Sequence, residues 1–211
     1  MSADARWIFL RHAETEDNVL ERLSDDPDAP LSAEGEAQAA ALADLLGDCG
    51  AQALLCSPSL RARRTAAPLA HRLGLDPTLL PALAERRLGA LAGQTRAAVR
   101  AGPLADRLTS WELAPPDGES LREVAARALR ALAEQPPLPV RVVVTHSGVL
   151  RAILGVIDDT PEARRGELRV PHATPLLRSL APGALEALGG AVLRTTHPGS
   201  APRPPSAGGP R

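Results

Sequence analysis

Three short apolar runs limit what this chain can fold into. They are Trp7-Ile8-Phe9-Leu10, Ala53-Leu54-Leu55-Cys56 and Val140 to Thr145. Short, nearly continuous apolar runs without polar alternation read as strands buried on both faces. Helical patterns lie between them. Ser32 is placed to cap a helix with Glu34 and Glu36 in its first turn and Ala39, Leu42, Leu45 and Leu46 at helical spacing. Ser57-Pro58 opens another, with Ser57 as cap and Pro58 at the first helical position. Ser120 caps a third, running to about Glu134, and a fourth follows from about Gly148 to Val156. Leu79-Leu80 is a short third strand, Arg96 to Leu108 is weakly helical, and Arg11 to Pro30 reads as a long loop. Residues 158–195 are left to supply an edge strand and a capping helix.

Strands alternating with helices specify an α/β fold with a mostly parallel central sheet. In such sheets ligands sit beyond the carboxyl ends of the strands. The junctions to inspect are therefore Arg11-His12, Ser57-Pro58 leading to Arg61, and His146-Ser147-Gly148. All three are polar, and they carry two arginines and two histidines.

Composition narrows the chemistry. The 211 residues fit one domain, expected over 1–197, with a Pro/Gly-rich tail at 198–211 that reads as disordered. With 24 cationic and 25 acidic residues the net charge is −1, which gives no general attraction to nucleic acid or an anionic membrane. Trp7, Phe9 and Trp111 are the only aromatics, too few for a base-stacking platform. Every cation apart from histidine is Arg, so an anion site must use Arg, His and backbone N–H groups. Cys49 and Cys56 form neither a disulfide framework nor a Cys-x-x-Cys motif. With no apolar leader or membrane-length run, a cytoplasmic location is expected. No large apolar stripe is left for a subunit interface, so oligomeric state is unspecified.

His12 and His146 each follow a run that should be buried. Either alone would read as a hydrogen-bonded histidine at a sheet edge. As a pair at equivalent positions, with Arg11 beside one, they point to an anion. A guanidinium one residue past a buried strand binds carboxylate or phosphate through its planar fork. Arg61, in the first turn of its helix, opposes the helix dipole, a cost that makes sense where an anion docks. Glu85, followed by Arg86 and Arg87, reads alone as a solvated charge cluster.

Arg11-His12-Ala13-Glu14-Thr15 after an apolar strand resembles the Arg-His-Gly signature of the histidine phosphatase superfamily, the phosphoglycerate mutase-like proteins. Ser57 to Ala66 resembles its second motif, Glu85 with Gly89 and Gly93 its third, and Val143 to Arg151 its fourth. Leu31 to Ala39 and Pro116-Asp117-Gly118-Glu119-Ser120 match lesser signatures. The six occur in family order over about residues 7 to 157.

The resemblance implies a three-layer α/β/α sandwich and a phosphohistidine mechanism without metal or other cofactor. His12 is then the nucleophile, its second ring nitrogen held by a backbone carbonyl. Arg11, Arg61 and His146 surround the transferring phosphoryl group. Glu85 is the general acid for the leaving alcohol and then the base for water. Asn18 matches a phosphate contact, and Thr15 is a lesser candidate. The substrate is a small phosphorylated metabolite.

The departures favour phosphatase over mutase. Ala13 replaces Gly, Asp17 stands where Trp is frequent, and Gly148 stands where mutases tend to have Asn. Ser147, not Asp, follows His146, which leaves the proton-donor role to Glu85. Only Arg107 stands near the position of the mutases' basic pair. Asp25 replaces a mutase Gly, and the Asp25-Asp26-Pro27-Asp28 cluster reads as a solvated loop or as a gate against acidic substrates. On the gate reading, Asp25→Gly should improve activity on carboxylated esters. A cofactor-dependent phosphoglycerate mutase is the alternative. A non-catalytic phospho-ligand binder comes third, because a degenerate site should have lost one of the five key residues. His71 and His172 lie outside the motifs: His71 reads as a surface or hydrogen-bonded histidine, and His172, after Val170-Pro171, could approach the pocket from the late loop, though nothing in the sequence demands it. Specificity should reside between Asp17 and Pro30 and between Gly93 and Pro115.

Overall fold

The computed structural model describes residues 4–194. The tail expected from 198 onward lies outside the described residues.

Strand β1, Ala5–Arg11, leads through a short helix α1, Glu16–Val19, to α2, Ala33–Leu46. Strand β2, Ala53–Cys56, helix α3, Leu60–Leu73, and the two-residue strand β3, Thr78–Leu79, come next. Two 3₁₀ turns precede α4, Arg96–Ala101, and α5, Ala105–Thr109. Helix α6, Leu121–Ala133, strand β4, Val140–Thr145, and helix α7, Ser147–Ile157, complete the central part. Helix α8, Glu162–Arg165, strand β5, Leu176–Leu180, and α9, Ala184–Arg194, close the chain.

The sheet order is β3-β2-β4-β1-β5. All neighbours are parallel except β5, which runs antiparallel to β1. The period-two geometry of a strand sorts the apolar runs between two cores. Trp7, Phe9, Leu55 and Val143 pack with α6, α7 and α9. Ile8, Leu10, Leu54, Cys56, Val142 and Val144 pack with α2 and α3. The result is the expected three-layer α/β/α arrangement. Each fully buried Leu, Ile or Phe contributes about 1.5–3 kcal/mol relative to exposure.

Four local expectations need correction. The 11–30 segment contains α1, because Thr15 and Asn18 form a reciprocal capping box at its start. The third strand lies at Thr78–Leu79, fixed by pairing with Leu55 and Cys56. The Arg96–Leu108 stretch breaks into two helices, with Gly102 in extended conformation at the end of α4. Helix α3 starts at Leu60, with Ser59 rather than Ser57 at the N-cap position and no side-chain capping bond. The Ser57 hydroxyl instead meets the His146 ring, Oγ to Nε2 2.7 Å.

The strand ends that matter finish level with one another. Arg11 pairs with Thr145 and Cys56 with Val144. The ladder runs one bond further on each side, from His12 N–H to Thr145 O and from Ser57 N–H to Val144 O. This alignment brings sequence-distant residues to one edge of the sheet.

Candidate active site

His12 emerges from β1 almost fully buried. Its Nδ1 lies 2.7 Å from the Ala13 carbonyl oxygen. A carbonyl only accepts, so Nδ1 carries the proton and Nε2 keeps the lone pair in the neutral ring. Burial, then the charges of Arg61 and Arg11, hold the His12 pKa well below the ordinary 6.5. The Ala13 amide donates to Thr65 Oγ1, and that hydroxyl donates to the Arg61 carbonyl. The nucleophile segment and the start of α3 are thereby joined.

Arg61 is 3% exposed. Its Nε donates to His146 Nδ1 at 3.3 Å, and its Nη1 reaches the Asp26 carbonyl. Since Arg only donates, His146 Nδ1 is the acceptor and Nε2–H donates to Ser57 Oγ. His146 is fully buried and also kept neutral, by burial and then by His12 and Arg61. The rings of His12 and His146 lie 5.2 Å apart. Arg11 donates to the Val170 carbonyl, its Nε is buried without a hydrogen-bond partner, and burial lowers its pKa to about 10.

Opposite, the Glu85 carboxylate accepts from its neighbour's amide, Arg86 N at 2.8 Å, and from Gly148 N at 3.1 Å in the first turn of α7. A Cβ on residue 148 would stand 2.5 Å from Glu85 Oε1, so the close approach requires glycine. Arg86 is not part of a solvated cluster. It is 3% exposed and donates to the carbonyls of Glu119, Leu108 and Arg107.

One pocket is lined by Arg11, His12, Thr15, Asn18, Arg61 and Glu85. His146 stands behind the wall, with both ring nitrogens occupied, rather than on it. Asn18 Oδ1 accepts from the Thr15 amide and Thr15 Oγ1 from the Asn18 amide, which leaves the Asn18 NH₂ for a ligand. The two segments expected to select substrate do reach the pocket, through Arg22, Leu23 and Ser24 and through Arg96 and Leu108. Backbone bonds between Leu23 and Gln94 and between Glu21 and Arg96 zip them together.

Sequence reasoning missed Arg151 on the pocket wall. His172, which the sequence allowed near the pocket without demanding it, has its ring 5.9 Å from His12. His172 Nε2 is buried without a hydrogen-bond partner, and burial, Arg11 and Arg96 push its pKa to about 4. The position of His172 comes from bridge pairing with Arg11, for which Val170-Pro171 carries no signal. Asp25 is engaged away from the pocket. Its carboxylate accepts from Leu88 N at 2.9 Å and lies off the pocket wall. Among the described residues no group of three or more His, Cys, Asp or Glu is arranged to hold a metal ion. Nor is any helix there long and apolar enough to cross a membrane.

The family model of the histidine phosphatase superfamily (branch 1) matches residues 7–179. The chain belongs to this superfamily. A glucosyl-3-phosphoglycerate phosphatase of Mycobacterium tuberculosis (strain ATCC 25618 / H37Rv) is 34% identical over 175 residues, 75% of this chain and 77% of that protein. A probable phosphoglycerate mutase GpmB of Enterobacter sp. (strain 638) is 30% identical over 178 residues, 79% of this chain and 80% of that one. The mycobacterial glucosyl-3-phosphoglycerate phosphatase complexed with VO3 superposes with a TM-score of 0.74 at 31% identity, covering 82% of this chain and 92% of that chain.

Proposed function

We propose that this superfamily member is a metal-independent phosphatase that hydrolyses a small phosphomonoester through a phosphohistidine on His12. The observation that carries the reading is the neutral His12 ring, with Nδ1 tied to the Ala13 carbonyl and Arg11 and Arg61 beside it.

In the first step the His12 Nε2 lone pair attacks phosphorus and the bond from phosphorus to the ester oxygen breaks. Glu85, protonated at that moment, gives its proton to the departing oxygen. In the second step the Glu85 carboxylate takes a proton from water, and the water oxygen attacks phosphorus. The phosphorus–nitrogen bond then breaks and returns its electron pair to Nε2. Arg11 and Arg61 neutralise the transferring oxygens, with the Asn18 NH₂ as a further donor. Thr15 acts through Asn18, and His146 acts by orienting Arg61. A cytoplasmic setting belongs to the same proposal, and the free thiols of Cys49 and Cys56 suit it.

The relatives named above carry substrates that combine a phosphate with a carboxylate in their names. Arg22, Arg96 and Arg151 line the same pocket and offer charge for a second anionic group. This favours a carboxylated phosphate ester, against the expectation drawn from Asp25, and keeps the mutase as the second reading. Phosphate release from a panel of metabolite phosphates with EDTA present, beside His12→Ala, tests the proposal. Release that survives EDTA and is lost in the variant supports the phosphatase. Interconversion of phosphoglycerates without release supports the mutase, and neither activity would leave a phospho-ligand binder.

A further inference from the structure

Residues 84–88, which include Glu85, belong to no helix or strand. A backbone without a ladder must find other partners for its polar groups. Here side chains supply them. Arg127 on α6 donates through Nη1 to the Ala82 carbonyl at 2.5 Å and through Nη2 to the carbonyls of Ala84 at 2.9 Å and Glu85 at 3.2 Å. Its Nε and Nη2 also reach the two carboxylate oxygens of Glu119, each at 3.1 Å. Glu119 Oε2 accepts the Arg87 amide at 2.9 Å, and the Glu119 amide donates to the Arg87 carbonyl. The ion pair thus grips the chain on both sides of Glu85, by carbonyls before it and an amide after it.

The pair is built for constancy. Glu119 is 6% exposed. Burial alone would raise its pKa, but the hydrogen bonds from Arg127 and the Arg87 amide hold it below the ordinary carboxylate range. Neither residue lines the pocket.

We propose that Arg127 and Glu119 are positioning residues for proton transfer by Glu85, an inference that rests on the acid–base reading of Glu85. A general acid must stand within hydrogen-bond reach of the leaving oxygen, and small misplacements are costly. Loosening the pair should therefore penalise esters in proportion to how much protonation their leaving group needs.

The test compares kcat/KM for p-nitrophenyl phosphate, whose leaving group departs with little help, and for glycerol phosphate, whose alkoxide needs a proton. This ratio reports steps up to phosphorylation of His12, without the common hydrolysis step. Arg127→Lys and Glu119→Gln should each lower kcat/KM on glycerol phosphate about tenfold or more, with a change under about threefold on p-nitrophenyl phosphate. Glu85→Gln serves as reference and should show the same selectivity more strongly. If Glu85→Gln lowers both substrates equally, the acid reading of Glu85 fails, and this proposal with it. If Glu85→Gln is selective while the pair's variants lower both esters equally, or neither, the positioning inference alone is overturned. Circular dichroism and thermal midpoints identify folded variants. Should Arg127→Lys not fold, Glu119→Gln decides, and Arg127→Gln replaces it if both fail.

Discussion

His12 and Glu85 face the same pocket, but the backbone beneath them is held in different ways. Under His12 the parallel ladder continues past the end of β1, so the sheet itself sets the position. Under Glu85 there is no ladder, and Arg127, Glu119 and Asp25 hold the chain by side-chain bonds. A ladder is cooperative and tolerates change at any single side chain. A side-chain web places a group just as closely, but each member can be removed by one substitution. The half that receives phosphate is thus tied to the stability of the fold, and the half that moves protons rests on a few removable contacts.

The largest effect should come from His12→Ala. Phosphate release should fall on the order of 10,000-fold or more, and no phosphoenzyme should be trapped by mass spectrometry, while the thermal midpoint stays near that of the parent. An intact protein that still hydrolyses esters would remove the nucleophile from the sheet side. Next comes Gly148→Ala, whose methyl would collide with Glu85 Oε1. We expect a loss of about 100-fold on alkyl phosphates, a much smaller one on p-nitrophenyl phosphate, and a displaced Glu85 in a crystal structure.

These two positions show what could be read from the residues alone. The three main strands, their parallel sense and the Arg11, His12, Arg61 and His146 junctions were legible, because apolar runs mark strands and polar residues just beyond them mark the ligand edge. The start of α3 at Leu60 was not, because Ser57, Pro58 and Ser59 all suit a helix start, and the Ser57 hydroxyl turns to the distant His146 ring instead of the helix end. Asp25 read as part of a solvated loop or as a gate because its charge was visible and its partner, the Leu88 amide, was 63 residues away. Arg86 read as solvated for the same reason. Its three carbonyl partners come from a chain segment more than 20 residues on.

Arg96→Ala should raise KM for a carboxylated phosphate ester about tenfold, the loss of one charge-assisted hydrogen bond, with p-nitrophenyl phosphate changed less than about twofold. An equal effect on both esters would assign Arg96 to the phosphate rather than to a second anion. The neutral histidines give a milder, pH-dependent effect. Below about pH 6.5 the unfolded chain protonates His12 and His146 while the folded chain does not, so stability falls as pH falls. Each contributes a slope that is about half of 1.4 kcal/mol per pH unit at pH 6.5 and approaches about 1.4 well below it, measurable as urea midpoints between pH 7 and 5.5, and His146→Gln should flatten the curve. The smallest effect belongs to Asp25→Gly. It removes one bond to the Leu88 amide, so activity on carboxylated esters should drop by a few-fold, about 1 kcal/mol. A gain would restore the gate.

The partner that fixes the proton on His12 Nδ1 is a main-chain oxygen, that of Ala13. Every amino acid carries that oxygen, so no replacement of the Ala13 side chain can delete the contact. The choice of attacking nitrogen is therefore hidden from ordinary mutation, and only a change in backbone course at residue 13 can reverse it. The methyl of Ala13 is fully buried against Leu31 and Ala39, so a larger side chain at position 13 would act on the choice of nitrogen only indirectly, by displacing that backbone.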